Sequence, residues 1–118
     1  MHAGWRGLEE GVIEAGVRAV QGLTGADATD LGAAIGPGAG RCCYEVGPDV
    51  HARFAGYQNA RNGDNLDLKS IAAVQLQRAG LGEIHDLGMC TICAPGLFFS
   101  HRRDAGVTGR QAGIAWLT

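Results

Sequence analysis

Long apolar runs, basic clusters and a leader-like start are all missing from this 118-residue chain. No stretch approaches the ~20 apolar residues that a membrane-spanning helix needs. The first residues also lack the basic, apolar and small-residue layout of a signal peptide. These two absences favour a cytoplasmic location without a membrane partner. The formal net charge is −2 and no basic run alternates with aromatic residues, so we expect no nucleic-acid partner.

Low-complexity sequence is also missing, and proline occurs only three times. Twenty glycines are present instead. They fall singly at the ends of predicted elements, which indicates a turn-rich fold rather than disorder. With 46% hydrophobic and 19% charged residues, the chain can bury a core. We therefore expect one domain over residues 1–118.

Helical and strand patterns alternate along the chain, which predicts an α/β fold. Small and apolar residues recur at helical spacing over residues 8–23 and predict one face of a helix: Leu8, Val12, Ala15, Gly16, Ala19, Val20 and Leu23. Asp67 suits the N-cap of a helix that ends near residue 79. Pro48 suits the first turn of a short helix whose Val50 and Phe54 face inward. Strands are predicted over residues 31–35, 83–89 and 112–117, and a polar loop over residues 59–65.

The chain begins with residues that are typical of a functional site. His2 and Arg6 lie in a glycine-containing turn before the first helix, where glycine lets the backbone present an imidazole and a guanidinium at a surface. Any strand leading into this turn would precede residue 1, so we expect a site around His2 to have partners upstream. By contrast, His51 in a helix and His85 in a strand are predicted to be packed or exposed side chains rather than ligands.

Residues 90–111 form a second segment of functional character, with three arginines and two adjacent aromatics. The guanidinium groups of Arg102, Arg103 and Arg110 are planar forks that can grip phosphate or carboxylate. Thr108 and its glycine neighbours add hydroxyl and backbone donors. The segment therefore predicts an anion-binding loop. The alternative is a solvated ion-pair patch that contains Arg102, Arg103 and Asp104.

The four cysteines form two pairs, Cys42 with Cys43 and Cys90 with Cys93. A four-thiolate zinc site is disfavoured because adjacent cysteines rarely both reach one tetrahedral ion. A redox role for the Cys-x-x-Cys pair would call for a helix start, whereas Ala-Pro-Gly follows it and suits a loop. Small buried thiols beside strands are the preferred interpretation.

Five ordered motifs carry a family resemblance. They are His-Ala-Gly-Trp-Arg-Gly at 2–7, Ile-Gly-Pro at 35–37 followed by Cys-Cys-Tyr-Glu-Val-Gly at 42–47, Leu-Asp-Leu at 66–68, Cys-Thr at 90–91, and Phe-Phe-Ser-His-Arg-Arg-Asp at 98–104 with Thr-Gly-Arg-Gln at 108–111. Together they resemble the YfiH family, also labelled laccase-domain or polyphenol-oxidase proteins. The resemblance implies a CNF1/YfiH-like α/β (α+β) sandwich with a mixed sheet, of which this chain is the C-terminal portion, incomplete at its N-terminus.

The same resemblance implies a zinc-dependent purine nucleoside phosphorylase that acts on adenosine, inosine, guanosine and methylthioadenosine, with adenosine deaminase activity. Other family labels are copper polyphenol oxidase and peptidoglycan editing factor. Copper chemistry is disfavoured because the sequence lacks clustered His-x-His pairs. In the family, one His and one Cys upstream of this region join the His of the His-Ala-Gly-Trp-Arg-Gly motif around the metal. His2 is therefore the one metal ligand of that set in this chain.

A set of site residues follows from the resemblance. Arg6, Arg102 and Arg103 are expected to be catalytic, by holding the phosphate co-substrate and stabilising charge as the glycosidic bond breaks. The expected substrate contacts are Phe99, Thr108 and Arg110. The alternative is a noncatalytic remnant or binding module that cannot hold metal. An open sheet edge would favour self-association or pairing with a missing N-terminal half.

Overall fold

The computed structural model describes residues 1–116. Helices and short strands alternate along the chain, which confirms the predicted α/β class. In chain order they are α1 Trp5–Glu9, α2 Val12–Thr24, a 3-10 turn Ala28–Asp30, β1 Gly32–Ile35, α3 Pro48–Arg53, β2 Arg61–Asn62, β3 Asn65–Leu66, α4 Leu68–Arg78 and β4 Glu83–Asp86.

Strands β1 and β4 pair in parallel, with Gly32 opposite Glu83, and β2 and β3 form a separate antiparallel pair. Parallel neighbours need a crossover connection, which here contains α3, the β2–β3 hairpin and α4. The pairing of β1 with β4 continues past both strands as a bridge between Gly38 and Cys90. Two backbone hydrogen bonds of 3.2 and 3.0 Å join Gly38 to the residues on either side of Cys90. The chain after β1 therefore runs beside the chain after β4.

The hydrophobic core lies between the helices and one face of the β1–β4 pair. Helix α4 packs against both strands, and α1 and α2 pack against α4. Ala33 and Ile84 extend from the strands toward this core. The buried apolar side chains are Leu8, Ile13, Val17, Val50, Phe54, Ala60, Leu66, Ile71, Ala72 and Leu76. Val50 and Phe54 face inward as predicted.

Two helices replace the single helix predicted over residues 8–23. Gly11 adopts a left-handed conformation with φ of 84° and separates α1 from α2. The apolar spacing continues across the break because Leu8 in α1 and Ile13 and Val17 in α2 are buried in the same core. The pattern therefore predicts a helix but neither its break nor its buried face in full, because Val20 and Leu23 of the predicted face are exposed, and Ile13 and Val17, outside that face, are buried.

Helix α4 follows the prediction, and the Asp67 carboxylate accepts the backbone N–H of Ser70 at 3.1 Å. The strand predicted over 83–89 is shorter and ends at Asp86. Gly88 has φ of 69° and donates its N–H to the Asp86 carboxylate at 2.8 Å, which turns the chain out of the strand. Within the loop predicted over 59–65, the β2–β3 hairpin turns at Gly63, whose φ is 61°.

The prediction of a C-terminal strand is wrong over residues 112–116, which form no strand and are exposed. Residue 117, the last of that predicted strand, lies outside the described residues. An extended segment needs a paired neighbour to be stable as a strand, and 112–116 have none in the described part of the chain. None of the helices within residues 1–116 combines the length and apolar character that a membrane crossing requires.

Candidate metal centre and arginine loop

Four cysteine side chains meet where the pairing of β1 with β4 ends. Cys42 and Cys43 lie in the loop after β1, and Cys90 and Cys93 lie in the loop after β4. All four Sγ atoms lie within 4.8 Å of one another. The Sγ of Cys93 is 3.3 Å from that of Cys42 and 3.0 Å from that of Cys43. We call this group the cysteine cluster.

The cluster corrects the interpretation of the cysteines as small buried thiols. All four are free, Cys42 and Cys93 are exposed, and Cys43 and Cys90 are only half-buried. The objection that adjacent cysteines rarely reach one centre also fails here. A tight turn follows Gly40, whose carbonyl accepts the backbone N–H of both Cys43 and Tyr44 at 3.0 Å.

Gly40 is the residue that lets the two loops approach so closely. A Cβ at this position would lie 3.1 Å from the Cβ of Cys90 and 3.2 Å from the Sγ of Cys42. Because glycine has no Cβ, its backbone N–H donates directly to the Sγ of Cys90 at 3.2 Å. This contact ties the loop after β1 to the loop after β4.

The thiols of the cluster differ in acidity. Burial of the Cys90 sulfur favours the neutral thiol, but hydrogen bonds from the backbone of Cys93, Gly40 and Ile92 outweigh it and lower the pKa of Cys90 to about 6. Contact with Cys93 raises the pKa of Cys42, and contact with Cys43 raises the pKa of Cys93. At neutral pH the metal-free cluster therefore contains a thiolate at Cys90.

His2 is exposed in the turn before α1, and its Nε2 lies 3.2 Å from where a Cβ on Gly4 would be. Within residues 1–116, the cysteine cluster is the one group of three or more His, Cys, Asp or Glu ligand atoms close enough to share an ion. His2 is not part of it. The described residues thus do not fit a zinc ion centred on His2, and such an ion would need ligands from elsewhere. Of the other histidines, His51 is buried and His85 is exposed, as predicted for packed or surface side chains.

The arginine loop, residues 94–111, is organised around an ion pair between Arg103 and Asp104. Arg103 donates from Nε and Nη2 to the two carboxylate oxygens of Asp104, both at 2.8 Å. It also donates to the carbonyls of Thr91 at 2.8 Å and Phe98 at 3.0 Å. The Arg103 hydrogen bond lowers the pKa of Asp104. The sequence left open an anion-binding loop or a solvated ion-pair patch. An ion pair is present between Arg103 and Asp104, but it is partly buried.

Arg102 adopts a different arrangement from its neighbour. Its guanidinium lies 4.7 Å from the centroid of the Tyr44 ring, and Nη1 donates to the carbonyl of Glu45 at 2.6 Å. Arg102 forms no ion pair with any carboxylate in the part of the chain that the structure describes. It is exposed, so its remaining donors face solvent beside the loop that contains Cys43.

Three of the predicted site residues line one shallow cavity of about 420 Å³: Phe99, Arg103 and Thr108. The Thr108 hydroxyl donates to the Asp104 carboxylate at 3.1 Å. The Phe99 ring is half-exposed because it lies over Gly109, where a Cβ would come within 2.7 Å of it. This exposure departs from the usual burial of paired aromatics.

The other predicted site residues lie outside the lining of this cavity. Arg102 and Arg110 are exposed on the same loop. Arg6 is exposed near the N-terminus, and its guanidinium lies 5.1 Å from the centroid of the Trp5 ring. Five of the seven predicted site residues thus lie on the arginine loop, and three of these five line one cavity.

The cysteine cluster is the feature that sequence reasoning missed. A signal was present, because each cysteine pair follows a strand that the sequence does predict. Loops at the carboxyl ends of adjacent parallel strands meet at one edge of the sheet, so pairing of the two strands would have brought the four thiols together.

Comparisons with known proteins identify the family. The family model described as multi-copper polyphenol oxidoreductase laccase matches residues 1–118. This chain belongs to that laccase-domain family. The YfiH resemblance is confirmed by solved structures: YlmD from Geobacillus stearothermophilus superposes with a TM-score of 0.79 at 36% identity, covering 92% of this chain and 44% of that one. YfiH from Bacillus licheniformis gives 0.75 at 33% identity, covering 89% and 44%.

Curated members of the laccase-domain family similar to this chain are named purine nucleoside phosphorylases. The protein from Xylella fastidiosa strain Temecula1 is 42% identical over 99% of this chain and 47% of its own length. YlmD from Bacillus subtilis is 36% identical over 93% and 44%. Mouse LACC1 is 32% identical over 96% and 29%. The chain spans about half the length, or less, of these relatives.

Proposed function

We propose that residues 1–118 are the C-terminal portion of a YfiH-like purine nucleoside phosphorylase, and that the arginine loop binds phosphate and nucleoside. The reaction would replace the bond between the base and C1′ of adenosine, inosine, guanosine or methylthioadenosine with a bond from C1′ to a phosphate oxygen. The names of the relatives support the substrate class. The observation that carries the proposal is the cavity lined by Phe99, Arg103 and Thr108, on the same loop as the exposed Arg102.

The guanidinium groups take different parts in this proposal. Arg102 has donors free for a bidentate contact with a phosphate dianion, because Glu45 occupies only one of them. Arg103 is held by Asp104 and two backbone carbonyls, so it fixes the loop while Asp104 balances its charge. The guanidinium of Arg102, which has no carboxylate partner within residues 1–116, is therefore the preorganised charge that would stabilise the transition state.

The remaining predicted residues complete the proposal. The exposed Phe99 ring offers a stacking surface for a purine, and Arg110 adds donors for ribose or phosphate oxygens. Thr108, whose hydroxyl donates to Asp104, can still accept a hydrogen bond from a ribose hydroxyl. Arg6, near His2 in sequence, is proposed to contribute a further phosphate contact. Zinc, with copper as the alternative, and adenosine deamination belong to the proposal for the complete protein.

A noncatalytic binding module is the second candidate, and one observation favours it. Within residues 1–116 no ligand set surrounds His2, so the chain by itself lacks the metal site that the family resemblance implies. A module of this kind would bind phosphate or nucleoside without turning it over. Self-association, or pairing with an N-terminal half, remains a prediction that goes with either candidate.

The test uses the 118-residue chain with inosine and inorganic phosphate. The proposal expects hypoxanthine and ribose 1-phosphate in equal amounts, and none without phosphate. Arg102→Ala should raise the phosphate KM roughly tenfold or more, because a hydrogen bond to a charged group contributes about 1.5–3 kcal/mol. Arg18→Ala is the matched control, since Arg18 is also exposed and pairs only with Glu14 in the described residues.

Calorimetric titration of the same chain with inosine and with phosphate separates the candidates. Binding with no product supports the module and contradicts phosphorolysis by this chain. If the chain shows neither binding nor product, both candidates are contradicted.

A further inference from the structure

We propose that Cys42, Cys43, Cys90 and Cys93 bind one zinc ion as a structural tetrathiolate site. The site is separate from any metal at His2 and does not rest on the proposed phosphorolysis. Its role would be to fasten the loop after β1 to the loop after β4, across about 50 residues of sequence.

The positions of the sulfur atoms fit a tetrahedral ion. Zinc–thiolate bonds of about 2.3 Å in a tetrahedron place the sulfur atoms about 3.8 Å apart. The four Sγ atoms here are all within 4.8 Å of one another, and the contacts of Cys93 with Cys42 and Cys43 measure 3.3 and 3.0 Å. Side-chain shifts of less than about 1 Å would therefore admit the ion.

The surrounding backbone is arranged as in a thiolate ligand loop. The Gly40 N–H donates to the Sγ of Cys90 at 3.2 Å. An outer contact of this kind orients a ligand and satisfies a lone pair that the metal leaves free. The Cys-x-x-Cys spacing of Cys90 and Cys93 is one half of a zinc signature.

Two cationic side chains lie near the proposed centre, each also paired with a carboxylate: Lys69 with Asp86 at 3.6 Å and Arg103 with Asp104 at 2.8 Å. Four thiolates around Zn²⁺ carry a net charge of −2. Lys69 donates to the carbonyl of Met89 at 2.6 Å, and Arg103 donates to the carbonyl of Thr91 at 2.8 Å. These carbonyls belong to the residues on either side of Cys90, so both cationic side chains lie next to the cluster.

The donor type selects the metal. Soft thiolates favour Zn²⁺, Cu(I) or iron–sulfur clusters over oxygen-loving cations, and a closed set of four thiolates without an open position is typical of structural zinc. A disulfide is the competing outcome, because Cys43 and Cys93 are in sulfur contact. It would use two thiols and leave two outside the bond.

The site would also stabilise the arginine loop. Cys43 precedes Tyr44, over whose ring the Arg102 guanidinium lies. Cys90 precedes Thr91, whose carbonyl accepts from Arg103. A zinc ion joining Cys43 to Cys90 would thus fix the anchoring points of both guanidiniums.

The experiment loads the reduced 118-residue chain with Zn²⁺ or Co²⁺ under anaerobic conditions. The proposal expects one metal ion per chain and protection of all four thiols from a thiol reagent. A chelator should remove the metal and restore the reactivity of the thiols. Co²⁺ should give thiolate-to-metal charge-transfer bands and the intense visible bands of a tetrahedral site. Unchanged thiol reactivity with Zn²⁺, or the pale spectrum of an octahedral ion, would overturn the proposal.

Variants assign the site to these residues. Cys42→Ser and Cys93→Ser change exposed side chains, so folding should persist and be visible in the helical circular dichroism. Each should weaken zinc binding by more than the roughly 10- to 100-fold that loss of an outer-shell partner causes. His2→Ala is the control and should keep full binding. The proposal fails if His2→Ala removes the metal while Cys93→Ser keeps it.

Discussion

Gly40→Ala tests the close approach of the two cysteine loops. The added Cβ would lie 3.1 Å from the Cβ of Cys90, 3.2 Å from the Sγ of Cys42 and 3.3 Å from the Sγ of Cys90. Ordinary contacts between such atoms are about 3.5–4.0 Å, so all three neighbours must move by a few tenths of an ångström. In the metal-free chain, Cys42 is exposed and can move away at little cost.

The metal-bound chain lacks this freedom because the ion fixes the sulfur positions. The overpacking penalty therefore falls mainly on the metal-bound state. Taking the lower part of the usual 1–3 kcal/mol for overpacking, about 1–2 kcal/mol, we expect zinc affinity to fall roughly 5- to 30-fold. The stability of the metal-free chain should change much less.

Competition titration with a chromogenic zinc chelator measures the affinity. Gly36→Ala is the matched control, because Gly36 lies in the same loop after β1 and a Cβ there would meet no atom within 4 Å. The reasoning is refuted if Gly40→Ala and Gly36→Ala bind zinc with equal affinity, or if Gly40→Ala loses stability to the same extent with and without zinc.

Three further predictions concern stability, each measured by urea unfolding. Leu8→Ala should destabilise the chain by about 2–5 kcal/mol, since Leu8 is 1% exposed, whereas Leu23→Ala, at an 87% exposed position, should stay within about 0.5 kcal/mol. Asp67→Ala should lower stability by about 1 kcal/mol, because its carboxylate caps α4; no change would contradict the cap. Arg103 lowers the pKa of Asp104, so this carboxylate stabilises the fold above the ordinary carboxyl pKa. Its contribution disappears as pH falls through the lower folded-state pKa. Asp104→Asn should therefore be less stable than the parent at neutral pH, with a gap that closes in acid, and a gap that persists in acid would contradict this reasoning.

Local patterns were sufficient to predict that residues 8–23 and 67–79 are largely helical, and Asp67 marked the start of α4. The apolar face predicted over 8–23 was only partly right: Leu8 is buried, but Val20 and Leu23 are exposed, and Ile13 and Val17 are buried in their place. The break at Gly11 was not predictable from periodicity, because the side chains on both sides of it pack into one core. A left-handed glycine leaves the hydrophobic pattern unchanged.

Pairing between distant strands was the information that the sequence reasoning lacked. Cys42 and Cys93 are separated by 51 residues, and only the parallel register of β1 with β4 brings them together. The adjacency of Cys42 and Cys43 argued against a shared centre, but the turn after Gly40 directs both sulfur atoms toward Cys93. Spacing along the chain could not show this turn.

The arginine loop shows the same limit on a smaller scale. Its composition predicted anion binding or an ion pair, and the structure contains the Arg103–Asp104 pair while leaving Arg102 free of carboxylates within residues 1–116. Arg102 and Arg103 differ in pairing because each guanidinium contacts different neighbouring residues. Arg103 faces the carbonyls of Thr91 and Phe98, whereas Arg102 lies over Tyr44, and none of these contacts is encoded in the local sequence.

X-ray absorption at the zinc edge of the metal-loaded 118-residue chain tests most directly where this chain holds metal. The account predicts four sulfur scatterers at about 2.3 Å and no imidazole contribution. A spectrum dominated by nitrogen and oxygen at about 2.0–2.1 Å, with the multiple scattering of a histidine ring, would place the ion at His2 and contradict the tetrathiolate site.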